Sequence, residues 1–256
     1  MKFFYCILVL ASAGVISAQT PGKPAAVTAA AAGSTAPKAV EPDKKTAPKP
    51  EALRYTVTWA SGLSFGEALI SSSRATLASG EGWTFTLKAD ASIPGFKLQE
   101  SANSTATTGY CSIDLEKQSQ RGNKKVQEKT TFDARTLTAN RETLNGGGKS
   151  ELTIPACAKD ALDYVFFLRR ELAQGRLPAM QKVYYGAAYD VRPEFTGTET
   201  IRVGEESVQA DRLVGHIKGP KTDLTIDMFF SKDPARLPLI IRIPVAQGKL
   251  NVELAR

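Results

Sequence analysis

Histidine is almost missing from this chain. His216 is the single imidazole in 256 residues, so a metal centre needing two histidines is excluded, and a serine, histidine and acid triad would depend on this one side chain. No Gly-x-Ser-x-Gly elbow places a nucleophile, and Gly146-Gly147-Gly148 lacks the lysine and hydroxyl of a phosphate-binding loop, so it reads as a hairpin turn. Cysteine is equally sparse. Cys6, Cys111 and Cys157 form no Cys-x-x-Cys pair, which removes the usual dithiol redox motif. Long apolar runs stop after the first eighteen residues, leaving nothing that reads as a membrane-spanning helix.

That early run has a different meaning. Lys2 supplies a positive start, Phe3 to Val15 an apolar stretch, and Ile16-Ser17-Ala18 a small-residue cleavage site. Together they predict a secretory signal over residues 1–18, with no transmembrane span once it is removed. Residues 19–50 are Ala, Pro, Lys and Thr with almost no large apolar side chain. They cannot bury enough surface to offset chain entropy, and are expected to form a disordered tether. The fold is therefore assigned to residues 51–256 as one β-rich domain.

Net charge says little about partners once it is divided. Lys2 carries one of the formal +7, and residues 19–50 hold five lysines against Glu41 and Asp43, which leaves +3 for the domain. A nucleic-acid partner is not expected from so small an excess on an exported protein. Export also bears on the cysteines. Loss of Cys6 with the signal leaves the even pair Cys111 and Cys157 in an oxidising compartment, where a disulfide is the default reading.

One segment reads firmly as a helix, at about 159–174. Asp160 is a good N-cap, Asp163 adds negative charge to the first turn, Arg169 and Arg170 lie near the end that favours cations, and Gly175 follows where a C-cap is needed. Ala161, Val165, Leu168 and Leu172 keep helical spacing, widened by Leu162, Phe166 and Ala173, while Tyr164 and Phe167 point elsewhere. So much apolar surface predicts a helix covered by sheet.

Most of the remainder reads as short strands. Leu53, Tyr55, Val57 and Trp59 alternate with polar residues, as do Trp83, Phe85, Leu87 and Ala89. Residues 94–108 read as a polar loop with a short strand at 96–98. From Tyr110 to Ile154, and again from Lys182 to Leu254, strand-like runs return about every ten residues. The fold class expected is mainly β (α+β), a large curved antiparallel sheet or open barrel around one central helix.

Few residues stand out chemically. His216 shares a strand face with Arg212 and Lys218 and reads as solvated. Asp223 and Asp227 share a strand face and are the one carboxylate pair available to a hydrolase; Asp233 before Pro234 forms a turn that Arg236 can brace. Tyr184, Tyr185, Tyr189 and Phe195 form an aromatic cluster outside the helix. Tyr185 and Tyr189 would share a face opposite Tyr184.

These features resemble a known family. The Tyr55-x-Val57-x-Trp59 strand followed by Gly62 and Gly66, the helix from Asp160-Ala161-Leu162 through Phe167-Leu168-Arg169 to Gly175, the closing Phe230-Ser231-Lys232-Asp233-Pro234-Ala235-Arg236-Leu237-Pro238 and Gly248 are similar to the exported bacterial family catalogued as domain of unknown function 3108. The resemblance implies a periplasmic or secreted β-rich protein of the Gram-negative type of envelope, without an established activity and without catalytic residues to carry over. The function expected is a non-catalytic module, with no cofactor and no metal, that binds a lipid, lipoprotein or other amphiphile in an apolar cleft. Its lining would come from Tyr164, Phe167, Leu168, Tyr185 and Tyr189. The alternative is a structural or protein-interaction module holding another envelope protein; a carboxylate-based hydrolase is a remote third.

Overall fold

The computed structural model describes residues 49–93, 96–245 and 248–255. The signal expected over residues 1–18 and nearly all of the tether lie outside them. Among the described residues eight strands come first: β1 (Glu51–Trp59), β2 (Ser64–Leu77), β3 (Gly80–Ile93), β4 (Phe96–Thr107), β5 (Ser112–Arg121), β6 (Lys124–Asp133), β7 (Thr138–Thr143) and β8 (Lys149–Thr153). The two-residue β9 (Lys159–Asp160) leads into α1 (Ala161–Ala173). Six strands follow: β10 (Gln181–Tyr184), β11 (Ala188–Val203), β12 (Glu206–Gly219), β13 (Thr222–Ser231), β14 (Pro238–Val245) and β15 (Gly248–Leu254).

All fifteen strands join one sheet in the order β8-β7-β6-β5-β4-β3-β2-β1-β15-β14-β13-β12-β11-β10-β9. The first and last strands of the main run, β1 and β15, are antiparallel neighbours, with Tyr55 opposite Leu254. Two meanders are thereby sewn together by their own ends. The sheet is antiparallel except at β9, which runs parallel to β10. Twist accumulated over so many strands has to curl a sheet, and its inward face carries the core.

Alternation explains which side chains enter it. Tyr55, Ala68, Ala89 and Glu100 lie directly opposite one another along β1 to β4, and so do Leu53, Ile70, Leu87 and Ala102. One core cluster holds Trp83, Phe85, Tyr110, Leu115, Phe132, Phe166 and Tyr185; a second holds Tyr55, Ile201, Phe229, Leu239 and Ile240. A third joins Tyr164 and Leu168 of the helix to Tyr189, Leu213 and Phe230. Phe166 stacks on Phe85 at 4.2 Å between ring centroids, which holds α1 against β3.

The polar loop expected over residues 94–108 is corrected: β4 is a full strand from Phe96 to Thr107. Its serines, threonines and asparagine suggested a loop, but they serve a strand whose wet face is Lys97, Gln99, Ser101, Asn103 and Thr105. The inner positions, Ala102, Ser104 and Ala106, are small because α1 and β9 approach that side. A second correction concerns the strand expected over 182–192. Tyr185, Gly186 and Ala187 form the turn between β10 and β11, and β11 continues through Pro193 to Val203. Tyr184, Tyr185 and Tyr189 are consequently all buried, with no division between faces.

Candidate functional site

The helix begins on a sealed acid pair. Asp160, the N-cap, accepts from the backbone N–H of Leu162 at 2.8 Å and of Asp163 at 3.1 Å through Oδ1. Its Oδ2 accepts from Ser104 of β4 at 2.5 Å, and Ser104 also reaches Asp163 Oδ1 at 2.9 Å. Ser112 of β5 donates to Asp163 Oδ2 and accepts from the N–H of Asp160. Neither carboxyl has any solvent-exposed surface. Burial pushes Asp163 well above the ordinary carboxylate range and the neighbouring Asp160 adds to the effect; burial raises Asp160 as well, opposed by its hydrogen bonds. Two carboxyls so close and so buried oppose each other's ionisation.

A covalent clip lies beside it. Cys111 and Cys157 form a disulfide, Cα to Cα 4.7 Å, tying the β4–β5 turn to the segment entering β9. The backbone N–H of Ser112 bonds to Ala158 O at 2.9 Å in the same place. Clip and acid pair together fasten the start of α1 to the first meander.

The β10–β11 turn fastens the second meander to the first. Tyr185 donates to Glu100 Oε1 at 2.8 Å, its ring lies under the Lys117 ammonium at 4.8 Å, and Arg141 donates to Gly186 O. Lys117 in turn pairs with Glu128 at 2.5 Å, with Arg141 3.5 Å from the other carboxylate oxygen. These are inward-facing charges on β4 to β7. Burial raises the Glu100 carboxyl, while the Tyr185 hydrogen bond and Lys117 act against it; burial and then Glu100 push the Tyr185 phenol well up. Sequence reasoning missed this network, because a lysine or glutamate inside an alternating strand looks the same as one on its wet face.

Of the expected lining residues, Tyr164, Leu168 and Tyr189 meet in one core cluster, Tyr185 sits in another, and Phe167 packs against both. The hydroxyls of Tyr164, Tyr184 and Tyr55 are buried without a hydrogen-bond partner among the described residues. Other candidates are scattered. Asp227 is held by Arg212 at 2.6 Å while Asp223 is exposed, and His216 lies 3.3 Å from Glu194. Arg236 braces Asp211, at 2.6 Å, rather than Asp233.

The opposite face of the first meander is polar. A groove of about 650 Å³ crosses β1 to β6. Register explains it as two neighbouring cross-strand rows: Arg54, Leu69, Lys88, Ser101, Gln118 and Gln127 in one, and Glu67, Asp90, Gln99, Gln120 and Lys125 in the other. Six strands at ordinary spacing give it a length of about 24 Å. Asn145 closes one end, bonding to the backbone of Gln127 and Lys125. Among the described residues no cluster of His, Cys, Asp and Glu could hold a metal ion.

Comparison with known proteins agrees with this architecture. A crystal structure from Brucella abortus, described as a β-barrel-like protein of domain of unknown function DUF1849, superposes with a TM-score of 0.59 at 7% identity, covering 81% of this chain and 96% of that one. At that identity the likeness concerns the fold alone. No curated protein matches the chain. Residues 54–255 match the family described as "Protein of unknown function (DUF3108)", and the chain belongs to that family.

Proposed function

We propose that this chain is an exported, non-catalytic module of the bacterial envelope that holds an extended, polar segment of a partner protein in the groove across β1 to β6. The observation that carries the reading is the pair of cross-strand rows, whose four glutamines present both donors and acceptors beside charges of both signs. A polypeptide backbone offers the same alternation of donors and acceptors, and about seven extended residues fit a groove of about 24 Å. A mixed-charge lining suits a peptide better than an acyl chain. In this reading the sheet curls round α1, and the helix, disulfide and acid pair keep the scaffold rigid. The sealed carboxylates at Asp160 and Asp163 and the arginine-bound Asp227 favour a non-catalytic role.

A second reading has its own support. The buried hydroxyls of Tyr164 and Tyr184 belong to clusters that include apolar residues of α1, and an amphiphile seated between helix and sheet would give them a polar head to meet. It would require α1 to shift, since Tyr164, Leu168 and Tyr189 are packed on one another.

Native mass spectrometry separates the two. Residues 19–256, purified from an envelope fraction without detergent, should carry no acyl species, and a photocrosslinker at Gln118 should capture a discrete peptide of one envelope protein. Acyl-chain masses on extraction, with no crosslink at Gln118, would transfer the assignment to the amphiphile reading.

A further inference from the structure

Strand alternation gathers one set of turns at one end of the sheet: β1–β2, β3–β4, β5–β6, β7–β8, β12–β13 and β14–β15, together with the partly buried β10–β11 turn. At this end lies the most exposed large apolar side chain described, Leu63, 66% exposed. It sits at the tip of a tight hairpin in which Trp59 N–H bonds to Leu63 O and Gly62 N–H to Trp59 O. Gly62, with φ of 88°, supplies the left-handed residue this turn needs. Trp59 and Phe65 pack on each other behind the tip, ring centroids 5.1 Å apart, both half-buried. Leu144, 48% exposed, occupies the β7–β8 turn at the same end.

Exposed apolar side chains occur at the other end too, Leu137 and Met180 among them, but charge separates the two ends. Lys249 lies beside the Trp59 hairpin, its carbonyl accepting from Ala60 N–H at 3.0 Å, and Lys97 is bonded through its carbonyl to the β5–β6 turn that carries Lys124 and Lys125. Lys97, Lys124 and Lys249 are exposed and without an ion-pair partner among the described residues. The opposite end differs. Its exposed turns bring Glu81, Glu205, Glu206 and Asp233, and several of its cations are paired, Arg135 with Asp133 and both Lys232 and Arg236 with Asp211, while Arg202 bonds to Gly204 O.

We propose that the end bearing Leu63 docks on an anionic lipid surface. Leu63 enters the acyl boundary, the Trp59 and Phe65 rings occupy the headgroup level, and Lys97, Lys124 and Lys249 meet lipid phosphates. An exposed leucine flanked by aromatic rings and unneutralised lysines is the pattern that interfacial binding requires, because apolar burial and phosphate attraction then act on one face. A polyanion without an apolar phase would make no use of Leu63. The surface lies outside the peptide groove, apart from Lys125 at its margin, so neither assignment depends on the other.

The test uses residues 19–256, so that the lysines of the tether are present in every variant, and sedimentation with phosphatidylcholine vesicles with and without phosphatidylglycerol. Binding should need the anionic lipid, weaken with salt and shift Trp59 fluorescence to the blue; the other tryptophan, Trp83, is buried and should not respond. Leu63→Ser should weaken binding about tenfold, as expected for one leucine withdrawn from an apolar phase. The triple variant Lys97→Ala, Lys124→Ala, Lys249→Ala should weaken it on the order of a hundredfold, at roughly fivefold per lysine. These positions are exposed, Leu63 in a turn and the lysines at strand ends, so near-UV circular dichroism should be unchanged. Absence of binding to anionic vesicles, equal binding to neutral ones, or variants that bind like the parent through the tether alone would each overturn the proposal.

Discussion

Replacing Asp160 tests whether the sealed acid pair behaves as its geometry requires. Asp160→Asn keeps an oxygen for the N–H groups of Leu162 and Asp163, and turns an amide towards Ser104, which still donates to Asp163. It removes one of two carboxyls that cannot both ionise. Asp160→Ala strands both N–H groups in a region closed to water, and loss of a helix N-cap costs about 1 to 2 kcal/mol. The pH dependence has a definite sign. Both native carboxyls titrate above their unfolded values. Their stabilisation is therefore full below about pH 4, where the unfolded groups titrate, and is lost as pH rises through the native values. While the native state holds one proton more than the unfolded chain, stability should fall by up to about 1.4 kcal/mol per pH unit. Urea unfolding between about pH 5 and about pH 8 lies above the unfolded carboxylate values and stops short of Tyr and Lys titration. The parent should lose stability across the window. Asp160→Asn should show a shallower slope and equal or exceed the parent at the upper end, whereas Asp160→Ala should share that slope and lie about 2 kcal/mol below Asp160→Asn throughout. Equal damage from both substitutions, or a parent whose stability does not fall, would refute the shared-proton argument.

Other substitutions examine the remaining fasteners. Reducing the Cys111–Cys157 bond, or replacing both cysteines with serine, frees a loop with a sequence separation of 46; a loss of about 4 kcal/mol is expected from chain entropy and is read as a lower urea midpoint. Tyr185→Phe removes the donor to Glu100, leaves a buried carboxylate oxygen unsatisfied and should cost about 1 to 3 kcal/mol. Because that hydrogen bond opposes the effect of burial, Glu100 should titrate still higher in the variant, which carboxyl-labelled NMR can follow. Phe166→Ala deletes the ring stacked on Phe85 and should cost about 3 to 5 kcal/mol by thermal or urea unfolding, with little effect on the lipid-facing end.

Local patterns carried a good part of this fold. Asp160 as N-cap, the first-turn Asp163 and the apolar stripe placed α1 to within two residues, because capping and helical spacing depend on neighbours in the chain. Alternation at Tyr55, Val57 and Trp59 or at Trp83, Phe85 and Leu87 marked strands with one dry face. Pairing Cys111 with Cys157 needed no more than the even count left when Cys6 is set aside with the expected signal. Against this, most of β4 beyond the short strand at 96–98 reads as loop because Ala, Ser, Asn and Thr carry weak strand propensity, and only its neighbours β3 and β5 and the close approach of α1 make small residues the right choice there. Tyr164 was placed on the wrong side of α1, since a helix enclosed on most of its surface has no empty side to predict.

What the sequence determined alone is what acts over a few residues: caps, periodicity, turn glycines, the composition of the first fifty residues and a family pattern running through the domain. Tertiary structure decided the rest. Whether a charged residue of a strand faces inward or outward depends on the curl of the whole sheet, so Glu100, Lys117 and Glu128 became a buried clasp for Tyr185 while Lys88, Gln99 and Gln118 became a groove. The ends β1 and β15 met because the two meanders close on each other, and that meeting placed Lys249 beside the Leu63 hairpin. Such neighbours are separated by most of the chain, and no local pattern records them.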